Sequence, residues 1–117
     1  MSELRDKILA IKDIPEEIVE VPEWDNVRLL VRGLTGRQRA ILLQDTMDAK
    51  GKLNFQKLEP ELISLCALDP DTKEQVFGKG DLDALAEKSG AALQRVAQVA
   101  QRLSGLEPQA MEEAEKN

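Results

Sequence analysis

The spacing of apolar residues changes along the chain and predicts where helices and strands lie. Near the N-terminus, Leu4, Ile8 and Ile11 recur at three- and four-residue intervals, a helical period. Ser2 precedes them and is a favourable N-cap residue, whereas Pro15 cannot continue a helix. The sequence therefore predicts a short N-terminal helix with one apolar side, ending before Pro15.

Two β-like runs follow, at residues 17–24 and 27–34, joined by an Asp-Asn turn. Both are rich in β-branched and aliphatic residues, and a short polar turn between such runs is typical of a hairpin. Pro22 lies inside the first run, which predicts an edge strand because proline cannot donate a ladder hydrogen bond. In the second run Arg28 and Arg32 fall on the same side of the strand.

The remaining segments predict helices with recognisable caps. Thr35 with Gln38 three residues later forms a capping box before residues 36–47. Apolar residues from Asn54 to Cys66, and again from Ser89 to Leu103, recur at helical spacing. A hairpin alone is marginally stable, so helices must cover it. We therefore expect an α+β fold, a mostly helical small domain with one N-terminal β-hairpin packed by four to five helices.

Length and charge limit the organisation of the chain. Its 117 residues suit one domain, expected over residues 1–106, with a mobile acidic C-terminal tail over residues 107–117. Residues 1–27 carry eight acids and three bases, whereas residues 28–57 carry seven bases and two acids. Such segments either complement each other within one domain or support self-association of copies through opposite faces. The net charge of −6 argues against nucleic acid as a partner.

The residue types present argue against several kinds of catalysis. The chain has no histidine, which removes the commonest general base and metal ligand, and no phosphate-binding loop. Its one cysteine, Cys66, lies in an apolar run and is expected to be buried and reduced. We therefore predict no catalytic, metal-binding or cofactor-binding residues and no membrane span. A hydrolase or transferase that uses only carboxylates stays open, but would need Asp and Glu converging in a deep pocket.

Three residues around the hairpin are candidates for contact with a protein partner. Trp24 is the only tryptophan, and tryptophan is enriched at the centres of interfaces. It could equally serve as a lid on the core. Arg28 and Arg32 could form a basic partner-facing or self-associating patch beside it, or a solvated face that balances Glu20 and Glu23 across the hairpin.

The hairpin segment resembles a known family. Val-Pro-Glu-Trp at 21–24, followed by the arginine-containing strand and Leu-Thr-Gly at 34–36, is similar to the N-terminal signature of tail assembly chaperones of long-tailed bacteriophages. The family's later motifs are matched in order by the apolar segment at 62–71, by Val-Phe at 76–77, and by the closing helices at 85–95 and 103–106. The similarity covers residues 8–106.

The resemblance implies a non-enzymatic role in the cytoplasm of a host bacterium. Chaperones of this family coat the tape-measure protein, are displaced by major tail-tube subunits as the tail assembles, and are absent from the mature virion. A structural tail or head–tail connector protein retained in the virion is the alternative.

Overall fold

The computed structural model describes residues 2–106, so the predicted tail at 107–117 lies outside the described residues. The described part contains five α-helices and three short β-strands, which confirms the predicted α+β class. Two single 3-10 turns, Pro22–Trp24 and Lys79–Asp81, complete the architecture. The elements are α1 (Glu3–Ala10), β1 (Glu16–Val21), β2 (Val27–Arg32), α2 (Gly36–Thr46), α3 (Phe55–Cys66), β3 (Ala67–Leu68), α4 (Leu82–Ala86) and α5 (Gly90–Leu103).

The sheet is antiparallel with the strand order β1-β2-β3. The predicted hairpin is confirmed, with β1 as an edge strand and with Val21 opposite Val27 at the end nearest the turn. The first strand is shorter than predicted, because Pro22 begins a 3-10 turn after Val21. Asp25 and Asn26 then adopt positive φ angles of 55° and 57°, a conformation these residue types tolerate better than most.

The third strand was not predicted from the sequence. It follows α3 directly, and Leu68 and Ala67 pair with Leu30 and Val31 on the free side of β2. Two residues carry no usable periodicity, so only the long-range pairing reveals the strand. It encloses β2 between neighbours and relieves the marginal stability of a lone hairpin.

The hydrophobic core lies between one face of the sheet and helices α3 and α5. Val19 and Val21 of β1 and Leu29 and Val31 of β2 project to this face and are buried. The helices contribute their apolar stripes to the same cluster, which includes Leu58, Leu62, Ile63, Cys66, Leu93, Val96, Ala97 and Ala100. The core is therefore aliphatic, as the low aromatic content required.

Hydrogen-bonded caps and a left-handed glycine are present at the ends of the helices. The side chain of Thr35 accepts a hydrogen bond from the backbone of Gln38, and the Gln38 side chain accepts one in return. Ser89 accepts from the backbone N–H of Ala92. Gly105, just past α5, has a positive φ of 72°, the left-handed conformation that commonly ends helices.

The end of β2 lies close against the end of α5. A Cβ atom placed on Gly33 would clash with the carbonyl oxygen of Leu103, so only glycine fits there without movement. The backbone N–H of Leu34 donates to the buried hydroxyl of Ser104 at 2.9 Å. These contacts fix α5 on the sheet.

None of the helices within residues 2–106 has the length and apolar character needed to cross a lipid bilayer.

Candidate functional site

A cleft on the described surface lies at the turn end of the hairpin. It has a volume of about 770 Å³ and is bounded by the hairpin turn, the segment around Phe77 and helix α4. Volumes of this size are usual for sites that hold a ligand or part of a partner. We call it the Trp24 cleft, and its lining residues are Glu23, Trp24, Asp25, Val27, Val76, Phe77, Asp81, Ala84, Leu85 and Lys88.

The floor of the Trp24 cleft is apolar and partly open to solvent. Trp24 and Phe77 are half-buried and pack against the hydrophobic core. Val27 and Val76 remain 45% and 42% exposed. Leu85 is the buried residue of α4 and closes the cleft from beneath. Trp24 therefore covers the core, one of the two roles weighed from the sequence, and leaves part of its side chain exposed in the cleft.

The rim of the cleft is acidic. Arg95 of α5 donates two hydrogen bonds to the carboxylate of Glu23, at 3.0 and 3.2 Å, and these bonds lower the pKa of Glu23. The Asp81 carboxylate accepts from the backbone N–H of Gly78 at 2.8 Å. Asp25 and Lys88 complete the ionisable lining. The lining thus carries three carboxylates and one lysine, and one of the carboxylates, that of Glu23, is already paired with Arg95.

Arg28 and Arg32 lie on the other face of the sheet from the core. Arg32 forms an ion pair with Glu16, with 2.7 Å between Nη2 and Oε2, and its hydrogen bond lowers the pKa of Glu16. Arg28 is exposed and lies opposite Glu20 in the strand register. The structure therefore places the two arginines on one sheet face and Trp24 in the cleft, so the three predicted residues do not form one continuous patch.

Ion pairs join the acidic front of the chain to bases elsewhere in the same domain. Glu16 pairs with Arg32, Glu23 with Arg95, and Glu17 with Arg102 at 2.8 Å. Of these three, the Glu16–Arg32 pair joins the acidic segment at residues 1–27 to the basic segment at residues 28–57, whereas Arg95 and Arg102 lie in α5.

Sequence reasoning did not identify the partners of Trp24 in the cleft. Val76 and Phe77 were noted only as a motif of the resembled family. Val27 and Val76 are about 50 residues apart in the chain, so no local sequence pattern links them. Only the folded arrangement brings them to one surface.

The thiol and two groups of carboxylates are the remaining chemically reactive side chains of interest. Burial raises the pKa of the Cys66 thiol to about 11, so it stays protonated and unreactive near neutral pH. A second cleft, of about 330 Å³, has Asp45, Glu61 and Asp83 in its lining. Burial is the main cause that raises the pKa of Glu61, and the neighbouring Asp45 carboxylate raises it further. This volume is at the lower limit for small-molecule sites. Among residues 2–106, no three His, Cys, Asp or Glu side chains are grouped to hold a metal ion.

Comparison with known proteins identifies a shared fold. The structure of the bacteriophage HK97 tail assembly chaperone superposes with a TM-score of 0.63 and 23% sequence identity. The match covers 88% of this chain and 95% of that chaperone. No protein-family model and no curated protein sequence matches the chain. The chain therefore has the fold of a tail assembly chaperone, which supports the resemblance seen in its ordered motifs.

Proposed function

We propose that this chain is a tail assembly chaperone of a long-tailed bacteriophage. The observation that carries the proposal is the match in fold over nearly the full length of both chains. The independent support is the ordered series of sequence motifs from residue 21 to residue 106. In this role the chain acts by binding, without catalysing a reaction.

The partner in this proposal is the tape-measure protein, a long helical chain. Chaperone molecules coat it in the host bacterial cytoplasm, are displaced by major tail-tube subunits, and are absent from the mature virion. An exposed amphipathic helix presents apolar side chains at three- and four-residue intervals, and such a stripe docks into an apolar groove. The Trp24 cleft offers that groove, with Val27 and Val76 exposed to meet the incoming side chains.

Arg28 and Arg32 have a secondary place in the proposal. They flank Leu30 on the outer face of the sheet, away from the cleft. Because a long partner carries many copies of a chaperone, weak lateral contacts between copies strengthen the whole assembly through avidity. Arg28, which lies opposite Glu20 on that face, is the residue of the pair that remains available for such contacts.

The first experiment co-expresses the chain with overlapping fragments of the tape-measure protein encoded in the same genome. We expect at least one fragment to become soluble and to co-elute with the chain. The Val76→Asp variant places a charge in the cleft and should lose that fragment. Ile41→Asp is the matched control, because Ile41 is similarly exposed (48%) but lies on α2. Failure of every fragment to bind would contradict the proposal.

A second experiment separates the chaperone from a structural tail or connector protein. Mass spectrometry of purified virions should detect the tail-tube and tape-measure proteins without this chain. Stoichiometric recovery of the chain from the virions would instead identify a structural component.

A further inference from the structure

Strand β1 forms an open edge of the sheet. It pairs with β2 over its whole length without a bulge, and no strand lies on its other side within residues 2–106. The opposite edge of the sheet is closed, because the Val76 N–H donates to the Ala67 carbonyl on the far side of β3. In the described part of the chain, the backbone of β1 is therefore the place where the sheet can still grow.

The hydrogen-bond pattern decides which backbone groups of β1 face the open edge. Along an antiparallel pair, residues that bond to the neighbouring strand alternate with residues that do not. The Gly33 N–H donates to the Pro15 carbonyl at 2.9 Å, so every second residue from Pro15 onward bonds to β2. The intervening residues Glu16, Ile18 and Glu20 direct their N–H and C=O groups away from the sheet. None of these groups has a backbone partner within residues 2–106.

The open row has a defined length. Pro15 precedes β1, and Pro22 begins the 3-10 turn that follows it, so prolines stand at both ends of the strand. Proteins often protect an exposed edge with a bulge, a proline within the strand or lysines, and β1 has none of these over its six residues. The edge therefore fits an extended segment of about six residues, which would pair with every outward N–H and C=O group.

The side chains of β1 indicate what kind of segment fits. Ile18 is 41% exposed on the outer face of the sheet. Two of the three glutamates of the strand are already paired, with Arg32 and Arg102, and add little attraction. Glu20 is exposed and forms no ion pair within residues 2–106, although Arg28 lies opposite it in the register. An apolar residue beside Ile18 and a basic residue beside Glu20 would complement this edge.

We propose that the open edge of β1 binds an extended segment of a partner protein, with an apolar residue opposite Ile18 and a lysine or arginine opposite Glu20. The segment adds a fourth strand to the three-stranded sheet. Backbone hydrogen bonds give such a contact its affinity, and alternate side chains give it specificity. Full overlap of two β1 strands from different copies would instead bring glutamates together, because the strand has three glutamates and no base. The contact does not rest on the proposed function, since it needs an extended segment and the Trp24 cleft receives a helix.

The test follows amide exchange in the full chain by NMR. The probe is the synthetic peptide acetyl-Thr-Lys-Thr-Ile-Thr-Lys-Thr-amide, whose lysines and isoleucine share one face of a strand. The amides of Glu16, Ile18 and Glu20 should exchange fast in the free chain and slowly at saturating peptide, whereas those of Glu17 and Val19 should be protected in both. Protection of the outward amides in the free monomer, exchange that millimolar peptide leaves unchanged, or protection that grows with chain concentration alone would overturn the proposal.

Methylated peptides separate backbone pairing from the attraction of charges. Methyl groups on the lysine and isoleucine backbone nitrogens remove the donors that face β1, whereas methyl groups on threonine nitrogens lie on the far side of the added strand. The first peptide should bind about tenfold more weakly or worse, and the second should bind like the unmodified peptide. Equal affinity of the two methylated peptides would overturn the proposal.

A variant of the chain tests the same hydrogen bonds from the other side. Ile18→Pro removes one outward N–H and no bond to β2, a change that an edge strand tolerates. It should weaken peptide binding about tenfold or more while the Val19 amide stays protected, which shows that the hairpin is intact. Ile18→Val is the matched control, because it keeps the N–H and an apolar side chain, and should bind like the wild type. Equal binding by the two variants would overturn the proposal, and the methylated peptides decide the matter if Ile18→Pro does not fold.

The tape-measure assay keeps this proposal separate from the chaperone function. Ile18→Pro leaves the Trp24 cleft unchanged and should still bind a tape-measure fragment, so failure of the edge contact and failure of the proposed function give different results.

Discussion

Helices α1 and α5 begin with the same kind of cap, but α5 is packed in the core whereas α1 is exposed. Each is capped by a serine, Ser2 or Ser89, whose side chain accepts a hydrogen bond from the backbone of the first turn. Each carries apolar residues at three- and four-residue intervals. Helix α5 buries five of its residues against the sheet and α3, whereas α1 buries none among the described residues.

The difference shows that the spacing of apolar residues indicates which side of a helix is apolar, but not which surface that side packs against. Helix α5 packs against the sheet of the same chain. Its C-terminal end is held there by the close approach of Gly33 to Leu103 and by the hydrogen bond that the Leu34 N–H donates to the Ser104 hydroxyl. For α1 no comparable contact exists within residues 2–106. Its apolar side is therefore available to another molecule.

The largest expected effect is the difference in stability loss between truncating an apolar side chain in α5 and truncating one in α1. Leu93 of α5 is 5% exposed, and Leu93→Ala should lower the free energy of unfolding by about 2–5 kcal/mol through lost burial and a cavity. Ile8→Ala in α1 should change it by less than about 0.5 kcal/mol in the monomer. Urea unfolding at low protein concentration measures both. Equal losses would contradict the contrast between the helices.

Gly33 tests how α5 is held on the sheet. Gly33→Ala places a Cβ atom against the carbonyl oxygen of Leu103, and we expect a loss of about 1–3 kcal/mol from overpacking. Gly36→Ala is the matched control, since nothing lies within 4 Å of its Cβ position at the start of α2. Alanine there favours the helix, so the control should be neutral or slightly stabilising. Thermal unfolding of the two variants separates a steric effect from a general loss of glycine.

Removing the serine cap of α5 should lower global stability more than removing the serine cap of α1, because only α5 is buried in the fold. Ser89→Ala removes the bond to the Ala92 N–H and should cost about 1 kcal/mol of global stability. Ser2→Ala removes the equivalent bond to Arg5 but should leave global unfolding unchanged, because α1 is not buried in the fold. Its effect should appear as faster amide exchange in α1 alone. A similar drop in global stability for both variants would show that α1 is integrated into the domain.

The smallest effect concerns the rim of the Trp24 cleft. The hydrogen bonds from Arg95 lower the pKa of Glu23 below its ordinary value of 4.5. A lowered folded-state pKa contributes stability above the unfolded pKa, and this contribution is lost as the pH falls through the folded-state pKa. The stability difference between wild type and Arg95→Ala should therefore be present at pH 7 and decrease below about pH 4.5. Both groups are solvent-exposed, so the difference should be small and weaker at high salt. A difference that stays constant with pH would show that Arg95 acts through packing alone.

The features predicted correctly from the sequence depend on neighbouring residues. The capping box at Thr35, the Ser2 cap and the hairpin each involve residues within a few positions of one another, so a short segment specifies them. The first strand was predicted too long because the β-branched run continues through Pro22, where the backbone turns.

The features that sequence did not reveal depend on distant segments. Strand β3 needs Ala67 beside Val31, and the Trp24 cleft needs Val76 beside the hairpin turn. The predicted trio of Trp24, Arg28 and Arg32 was chosen by closeness along the chain. Alternation of the strand separates its members, because Arg28 and Arg32 point away from the core while Trp24 packs against it. Their roles in partner binding stay predictions.

The central claim is that the Trp24 cleft holds an apolar helix of a protein partner. Trp24 is the only tryptophan in the chain, so its fluorescence reports directly on the cleft. Titration with a tryptophan-free tape-measure fragment should shift the emission to shorter wavelength and saturate. In Val76→Asp the affinity should fall by about tenfold or more, corresponding to about 1.4 kcal/mol, while Ile41→Asp should bind as wild type. A fragment that co-elutes with the chain but leaves the Trp24 emission unchanged, or that binds Val76→Asp equally well, would contradict the claim.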